Sequence, residues 1–194
     1  MLNNLKKYKI ILASKSPRRR EILSLLRIPF TIVTIDGLEE SYPAELPPEE
    51  VSEYIANQKA DSFLERVGEE ELIIAADTVV ICEGKILGKP KGNDEAREML
   101  KFLSGKTHVV TTGVVIATKR KRCSFTVSSK VTFADLTEEE IKFYVDTYHP
   151  FDKAGAYGIQ EWIGAIAVAK IDGSFYNVMG LPVQRLYQEL KDFC

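Results

Sequence analysis

Short apolar segments of strand character alternate with segments of helical periodicity along almost the whole chain, and this alternation limits the fold more than any other feature. Residues 9–13 read as a strand. Ser16-Pro17 then opens a helix over 17–26, because serine caps free N–H groups and proline suits the first turn. Residues 30–35 form a second predicted strand, followed by an acidic loop and a helix over 48–67. The apolar run LIIAADTVVI (72–81) is a third strand, turning through Glu83-Gly84-Lys85 into a hairpin. GKPKGN leads into a helix over 94–103 that Gly105 ends, since glycine tolerates the left-handed cap conformation. Strands over 108–117 and 123–133 follow, joined through TKRKR. In LTEEE, Thr137 caps and Glu140 reaches back, so a helix runs to about residue 148. A strand near 165–171 and a helix over 182–193 complete an α/β pattern whose later hairpin makes the sheet mixed.

With 194 residues, 45% of them hydrophobic, the chain buries one core, or one core divided by a cleft, and the expectation is a single domain over 1–194. Lys+Arg 26 against Asp+Glu 28 leaves a net charge of −2, so no global basic field favours nucleic acid. Cys82, Cys123 and Cys194 are odd in number, widely spaced and form no C-x-x-C pair, which predicts a reducing, cytoplasmic setting. The apolar run at 10–13 falls short of the roughly 7 residues of an export signal, and no run approaches the ~18 of a membrane span. SGKT at 104–107 mimics the tail of a P-loop, but Leu100 stands where the first glycine belongs, and a helix precedes it instead of a strand. G-x-G-x-x-G, G-x-S-x-G and H-E-x-x-H are absent, and His108 and His149 are the only histidines, so hydride transfer, serine esterase and zinc hydrolase chemistry lose support. KRKR at 119–122 reads as a charged hairpin tip that discourages edge pairing.

The charged residues in unusual places point to an anion. Arg18, Arg19 and Arg20 occupy the first turn of the first helix, where each cation opposes the helix dipole by about 0.3–1 kcal/mol. A phosphate bound among them reverses that cost, unless the side chains simply reach solvent or pair with Glu21 and other acids. Asp77 interrupts an apolar strand, so a metal ion, a basic partner, a role as general base or a strand-end bend must compensate for it. Lys59 falls on the apolar stripe of Val51, Ile55 and Phe63 at i, i+4, i+8 and i+12, and either meets an anion or snorkels out of the core edge. Lys89 and Lys91 in GKPKG, and Asp152, Lys153 and Gln160 in DKAGAYGIQ, sit among small residues that let a ligand approach the backbone, although either stretch suits a solvated turn equally.

LASKSPRRREIL, AADTVV, GKPKGNDEAREMLKFLSGKTH with TTGV, DKAGAYGIQ and GSFYNVMGLPV, in this order from about residue 10 to 190, together resemble the Maf family of septum-formation-inhibitor-like nucleotide pyrophosphatases. The resemblance implies an α/β fold related to the inosine triphosphate pyrophosphatases, with an elongated mixed sheet flanked by helices, two lobes around a deep cleft, and often a homodimer. It implies hydrolysis of a nucleoside triphosphate between the α and β phosphates with a divalent cation, Mg²⁺ or Mn²⁺. Ser14, Arg18 and Arg19 then hold phosphate oxygens at a helix N-terminus, arginine forks matching them bidentately. Lys59, Lys89 and Lys153 neutralise charge on the leaving pyrophosphate. Asp77 activates water as the base and, with Glu40, ligates the metal. A non-enzymatic regulator of cell division that binds a nucleotide as a signal is the alternative, and it needs the arginines but not Asp77.

The chain departs from the family pattern in three places. His149 stands where glutamate usually precedes the proline, Glu161 and Trp162 follow Gln160 where glycine is usual, and Lys106 replaces a commoner arginine. Within the family the chain resembles the branch acting on dTTP and UTP, with Arg18, Thr78 and Gln160 as determinants. Relatives acting on methylated guanine nucleotides tend to carry an aromatic residue in place of Arg18. A carboxamide both donates to a carbonyl and accepts from the ring N3–H, the pattern uracil and thymine share, unless Gln160 only braces the loop around Gly155 and Gly158.

Overall fold

The computed structural model describes residues 2–35, 37 and 40–193. Its elements follow the predicted alternation: β1 (Lys9–Ala13), α1 (Pro17–Ser24), β2 (Thr31–Ile32), α2 (Pro48–Leu64), β3 (Glu71–Cys82), β4 (Lys85–Leu87) and α3 (Asn93–Leu103). They continue with β5 (Thr107–Ala117), β6 (Arg122–Phe133), α4 (Glu138–Tyr148), α5 (Trp162–Ala167), β7 (Val168–Asp172), α6 (Phe175–Val178) and α7 (Val183–Asp192). The seven strands form one sheet in the order β2-β1-β3-β5-β6-β7, with β4 beside β3. β1 runs parallel to β2 and β3, whereas β4 and β7 run antiparallel to β3 and β6, so the sheet is mixed and helices flank it, as expected.

Several boundaries differ from the sequence reading, among them the end of α2 at Leu64 instead of residue 67, and three of the differences show how local structure decides them. α1 stops at Ser24 because Leu25, Leu26 and Arg27 bond back three residues instead of four, and Arg27 then turns to a φ of 54° ahead of Pro29. β2 shrinks to Thr31–Ile32, an exposed edge pair matched to Ile11 and Leu12. The strand expected near 165–171 begins only at Val168, because residues 162–167 are helical, the Glu161 carbonyl accepting from Gly164 and Ala165. An apolar run that short carries no period to separate the two. A 3₁₀ turn at Asn3–Lys7 precedes β1 without a signal in the sequence; Asn4 Nδ2 ties it to the carbonyls of Leu190 and Phe193 at 2.8 and 2.9 Å.

The chain divides into two compact units, one of Met1–Asp77, Thr112–Val127 and Gly180–Cys194, the other of Thr78–Thr111 and Ser128–Met179. In the first, α2 lies on the sheet through a cluster dominated by small side chains: Ala56 and Ala60 face Ala13, Ala75 and Ala117, with Ile11, Ile73, Val115 and Phe63 filling between them. The approach is so close that a Cβ on Gly113 of β5 would stand 2.3 Å from the backbone nitrogen of Glu53 in α2. In the second unit α3 and α4 are bound by Arg97 to Asp146 at 2.6 Å, and α4 starts with the predicted capping box of Thr137 and Glu140. His149 ends α4 in the left-handed conformation, φ 45°, before Pro150.

Candidate active site

Ser16 caps α1 as its sequence requires, its Oγ accepting from Arg19 N at 3.4 Å, with Pro17 in the first turn. The three arginines then separate. Arg20 is exposed, whereas Arg18 and Arg19 are half-buried. Arg19 folds back toward the helix start: its Nε donates to the Gly180 carbonyl at 2.8 Å and its Nη1 to Ser14 Oγ at 3.5 Å, and Ser14 Oγ also accepts from Ser16 N at 3.2 Å. Burial pulls the Arg19 pKa below its ordinary value; Asp77 opposes that, Arg18 adds to it and Glu40 opposes it again. The guanidinium nevertheless stays protonated at any working pH. Arg19 and Ser14 therefore line the positive end of α1, where N–H groups and a fixed fork suit phosphate oxygens.

The same unit places Asp77 and Lys59 together. Val51, Ile55 and Phe63 of the α2 stripe are buried, and Lys59 in that stripe reaches the sheet instead of snorkelling out. Its Nζ lies 2.7 Å from Asp77 Oδ1 and 2.8 Å from Glu40 Oε1. Asp77 is thus compensated by a basic partner, and the anions that Lys59 meets are two carboxylates of its own chain. Both side chains are nearly enclosed, at 12% and 11% exposure, so the pair interacts in a medium far less screened than water. Two carboxylates converging on one cation position fit a hard divalent ion, which takes oxygen ligands and completes its shell from water and phosphates. Among the described residues no group of three or more His, Cys, Asp or Glu side chains is arranged to hold a metal. Glu39, the neighbour of Glu40, lies outside the described residues.

The remaining predicted residues belong to the second unit. Thr78 follows Asp77 on β3 and is half-buried; Lys89 and Gln160 are exposed. Their two loops meet, because Gly155 N donates to the Gly88 carbonyl at 3.1 Å. Gly155 adopts a φ of +68°, and a Cβ there would press on Val80 at 3.1 Å, so glycine is needed on both counts. Lys153 is buried, with Nζ 2.8 Å from Asp152 Oδ1 and 3.1 Å from Glu161 Oε1. Below this segment His108 Nε2 and the Tyr157 hydroxyl share a bond of 2.8 Å, and both rings pack edge-on against Phe133. Burial drives His108 down to about 4, so it is neutral at pH 7.

Some sequence motifs settle as structure. Arg120 pairs with Glu69, Arg122 with Asp61, and Lys121 lies over the Phe193 ring, so the KRKR tip is a hairpin in which these three side chains find partners within the first unit. Lys106 of SGKT meets Glu83 at 3.2 Å and covers the Phe102 ring. Sequence reasoning missed Gly113, His108, Tyr144 and the Gly180 carbonyl, which have no local signature, and saw Glu161 only as a departure from a pattern.

Comparison with known proteins gives a consistent result. The family model for Maf-like proteins matches residues 9–193. A dTTP/UTP pyrophosphatase of Bacteroides thetaiotaomicron is 56% identical over 191 residues, covering 98% of this chain and 99% of that one. A dTTP/UTP pyrophosphatase of Bacillus cereus is 50% identical over 185 residues, 95% of each chain. The solved structure of the Staphylococcus aureus Ham1 protein is similar in fold, with a TM-score of 0.55, 15% identity, and coverage of 96% of this chain and 100% of that one.

Proposed function

The chain belongs to the Maf-like family, and from that premise we propose that it hydrolyses dTTP and UTP to the monophosphate and pyrophosphate. The observation that carries the reading is the first unit's cluster: Arg19 and Ser14 at the start of α1, with Asp77 and Glu40 held by Lys59. Arg18 and Arg19 bind phosphate oxygens that the α1 N–H groups also attract. Asp77 takes the proton of the attacking water, a role its enclosed carboxylate suits once phosphate draws the Lys59 ammonium toward itself. Lys59, Lys89 and Lys153 offset the charge that builds on the leaving pyrophosphate.

Asp77 and Glu40 would hold a divalent ion, Mg²⁺ or Mn²⁺, which would withdraw charge from the phosphates and lower the pKa of water. Arg18, Thr78 and Gln160 choose the base; the exposed Gln160 carboxamide has the donor and acceptor that the pairing edge of uracil and thymine needs. Two thiols, Cys82 and Cys123, are free, which supports a cytoplasmic location. No helix of the described residues is long and apolar enough to cross a membrane, and the net charge of −2 gives no ground for a nucleic-acid partner. A homodimer belongs to the same reading, and light scattering tests it. The test of function is a screen of dTTP, UTP, CTP and 7-methyl-GTP with Mg²⁺ and pyrophosphate detection. The highest kcat/KM is expected for dTTP and UTP; a preference for 7-methyl-GTP defeats the assignment.

A further inference from the structure

Lys153 projects from a loop, yet it is 7% exposed and its ammonium is held from two sides. Asp152, one residue away, is 54% exposed at its side chain and grips Nζ at 2.8 Å from the solvent side. Glu161 reaches Nζ at 3.1 Å from within, at 19% exposure, where the attraction is less screened. The second oxygen of Glu161, Oε2, accepts a hydrogen bond from the Tyr144 hydroxyl. That hydroxyl in turn accepts from Gly158 N at 3.0 Å. Tyr144 is fully buried on α4 and stacked on Tyr148 with centroids 5.0 Å apart. The Glu161 backbone is fixed as well, donating to the Gly158 carbonyl at 3.0 Å while its own carbonyl accepts from Gly164 at 3.0 Å. No slack remains around it: a Cβ on Gly158 would stand 2.8 Å from Glu161 Cδ and 3.0 Å from Lys153 Cε. Burial first, then the Glu161 contact, holds the Tyr144 phenol well above its ordinary range, so it remains a donor.

We propose that Glu161 is a positioning residue for Lys153, and that Tyr144 orients Glu161, so that a lysine on a flexible four-carbon stem presents its ammonium to the triphosphate in one orientation. The inference rests on the reading of Lys153 as a phosphate-binding lysine. Without the Glu161 carboxylate, Nζ settles on the more exposed Asp152 and its charge lies away from the developing charge of the leaving group. A glutamate that merely neutralised a buried lysine would matter for folding and not for turnover.

The experiment measures pyrophosphate release from dTTP with Mg²⁺ by the full chain, together with thermal unfolding, for wild type, Glu161→Gln, Tyr144→Phe, Lys153→Ala and the Lys153→Ala/Glu161→Gln pair. Expected are a fall in kcat of about 10–100-fold for Glu161→Gln, a smaller fall for Tyr144→Phe, and KM within about threefold of wild type in both. In the Lys153→Ala background Glu161→Gln should have no further effect on kcat, since its target is gone. A Glu161→Gln that only lowers the melting temperature, or that costs the same factor in both backgrounds, overturns the proposal. Should Glu161→Gln fail to fold, Tyr144→Phe decides: reduced kcat at unchanged KM supports the proposal and wild-type kcat overturns it. Wild-type kcat in Lys153→Ala overturns it too while leaving the pyrophosphatase reading intact; that reading falls with it only when the wild-type chain itself releases no pyrophosphate.

Discussion

Replacing Gly113 with alanine puts a methyl group where the backbone of α2 already lies. The new Cβ would stand 2.3 Å from Glu53 N, 2.4 Å from Glu53 Cα and 2.5 Å from the Ser52 carbonyl carbon. All three are main-chain atoms, so no side chain can rotate away. To regain ordinary contact at ~3.5 Å the helix must lift by roughly 1 Å, out of a cluster in which Ala56 and Ala60 allow it to sit close. Overpacking of this kind costs about 1–3 kcal/mol. For a chain of 194 residues that lowers the melting temperature by about 2–4 °C per kcal/mol. The catalytic cost follows from the same movement, because Lys59 rides on α2 and its contacts to Asp77 and Glu40 are 2.7 and 2.8 Å long. A shift of ~1 Å in a group of that kind costs on the order of 10²-fold in rate. Calorimetry and steady-state pyrophosphate release on the purified variant measure both effects. A melting temperature within about 2 °C of wild type together with kcat within about twofold would show that α2 is not seated by Gly113.

Asp77→Asn should keep the fold and bind nucleotide while losing about 10²–10⁴ in kcat, since the amide keeps the shape, still accepts from Lys59 and cannot take a proton; near wild-type turnover makes Asp77 structural. Gln160→Ala, at an exposed position, should leave the melting temperature unchanged and flatten the ratio of kcat/KM for dTTP over CTP; unchanged ratios reduce Gln160 to a loop brace. His108 titrates near 4 when folded against an ordinary 6.5, so the unfolded chain takes the proton first. Its stabilising contribution is complete above about pH 6.5 and is lost as pH falls toward 4, by up to about 3 kcal/mol. Urea unfolding of wild type and His108→Gln should therefore converge or cross below pH 6.5, and a constant difference from pH 7 to 4.5 refutes the assignment.

Much of this architecture is legible in local chemistry, because caps and apolar stripes act over a few residues. Ser16-Pro17 and Thr137 with Glu140 start their helices as the sequence requires, and the stripe of Val51, Ile55, Lys59 and Phe63 faces the sheet. The sequence shows Asp77 wanting compensation and Lys59 wanting an anion, but not that each answers the other, since that pairing depends on how α2 lies across β3. Gly113 looks like any strand glycine until α2 is placed on it. The 162–167 segment fails for the opposite reason, being too short and too uniformly apolar for periodicity to decide. Glu161 breaks a familiar pattern, and only the fold shows that it faces Lys153 on one side and Tyr144 on the other.

The central claim is the bond that is cut. Phosphorus NMR of dTTP turned over by the wild-type chain with Mg²⁺ measures it directly, because every product has its own resonances. Monophosphate and pyrophosphate rising in equal amounts is the predicted result, and diphosphate with orthophosphate would contradict it.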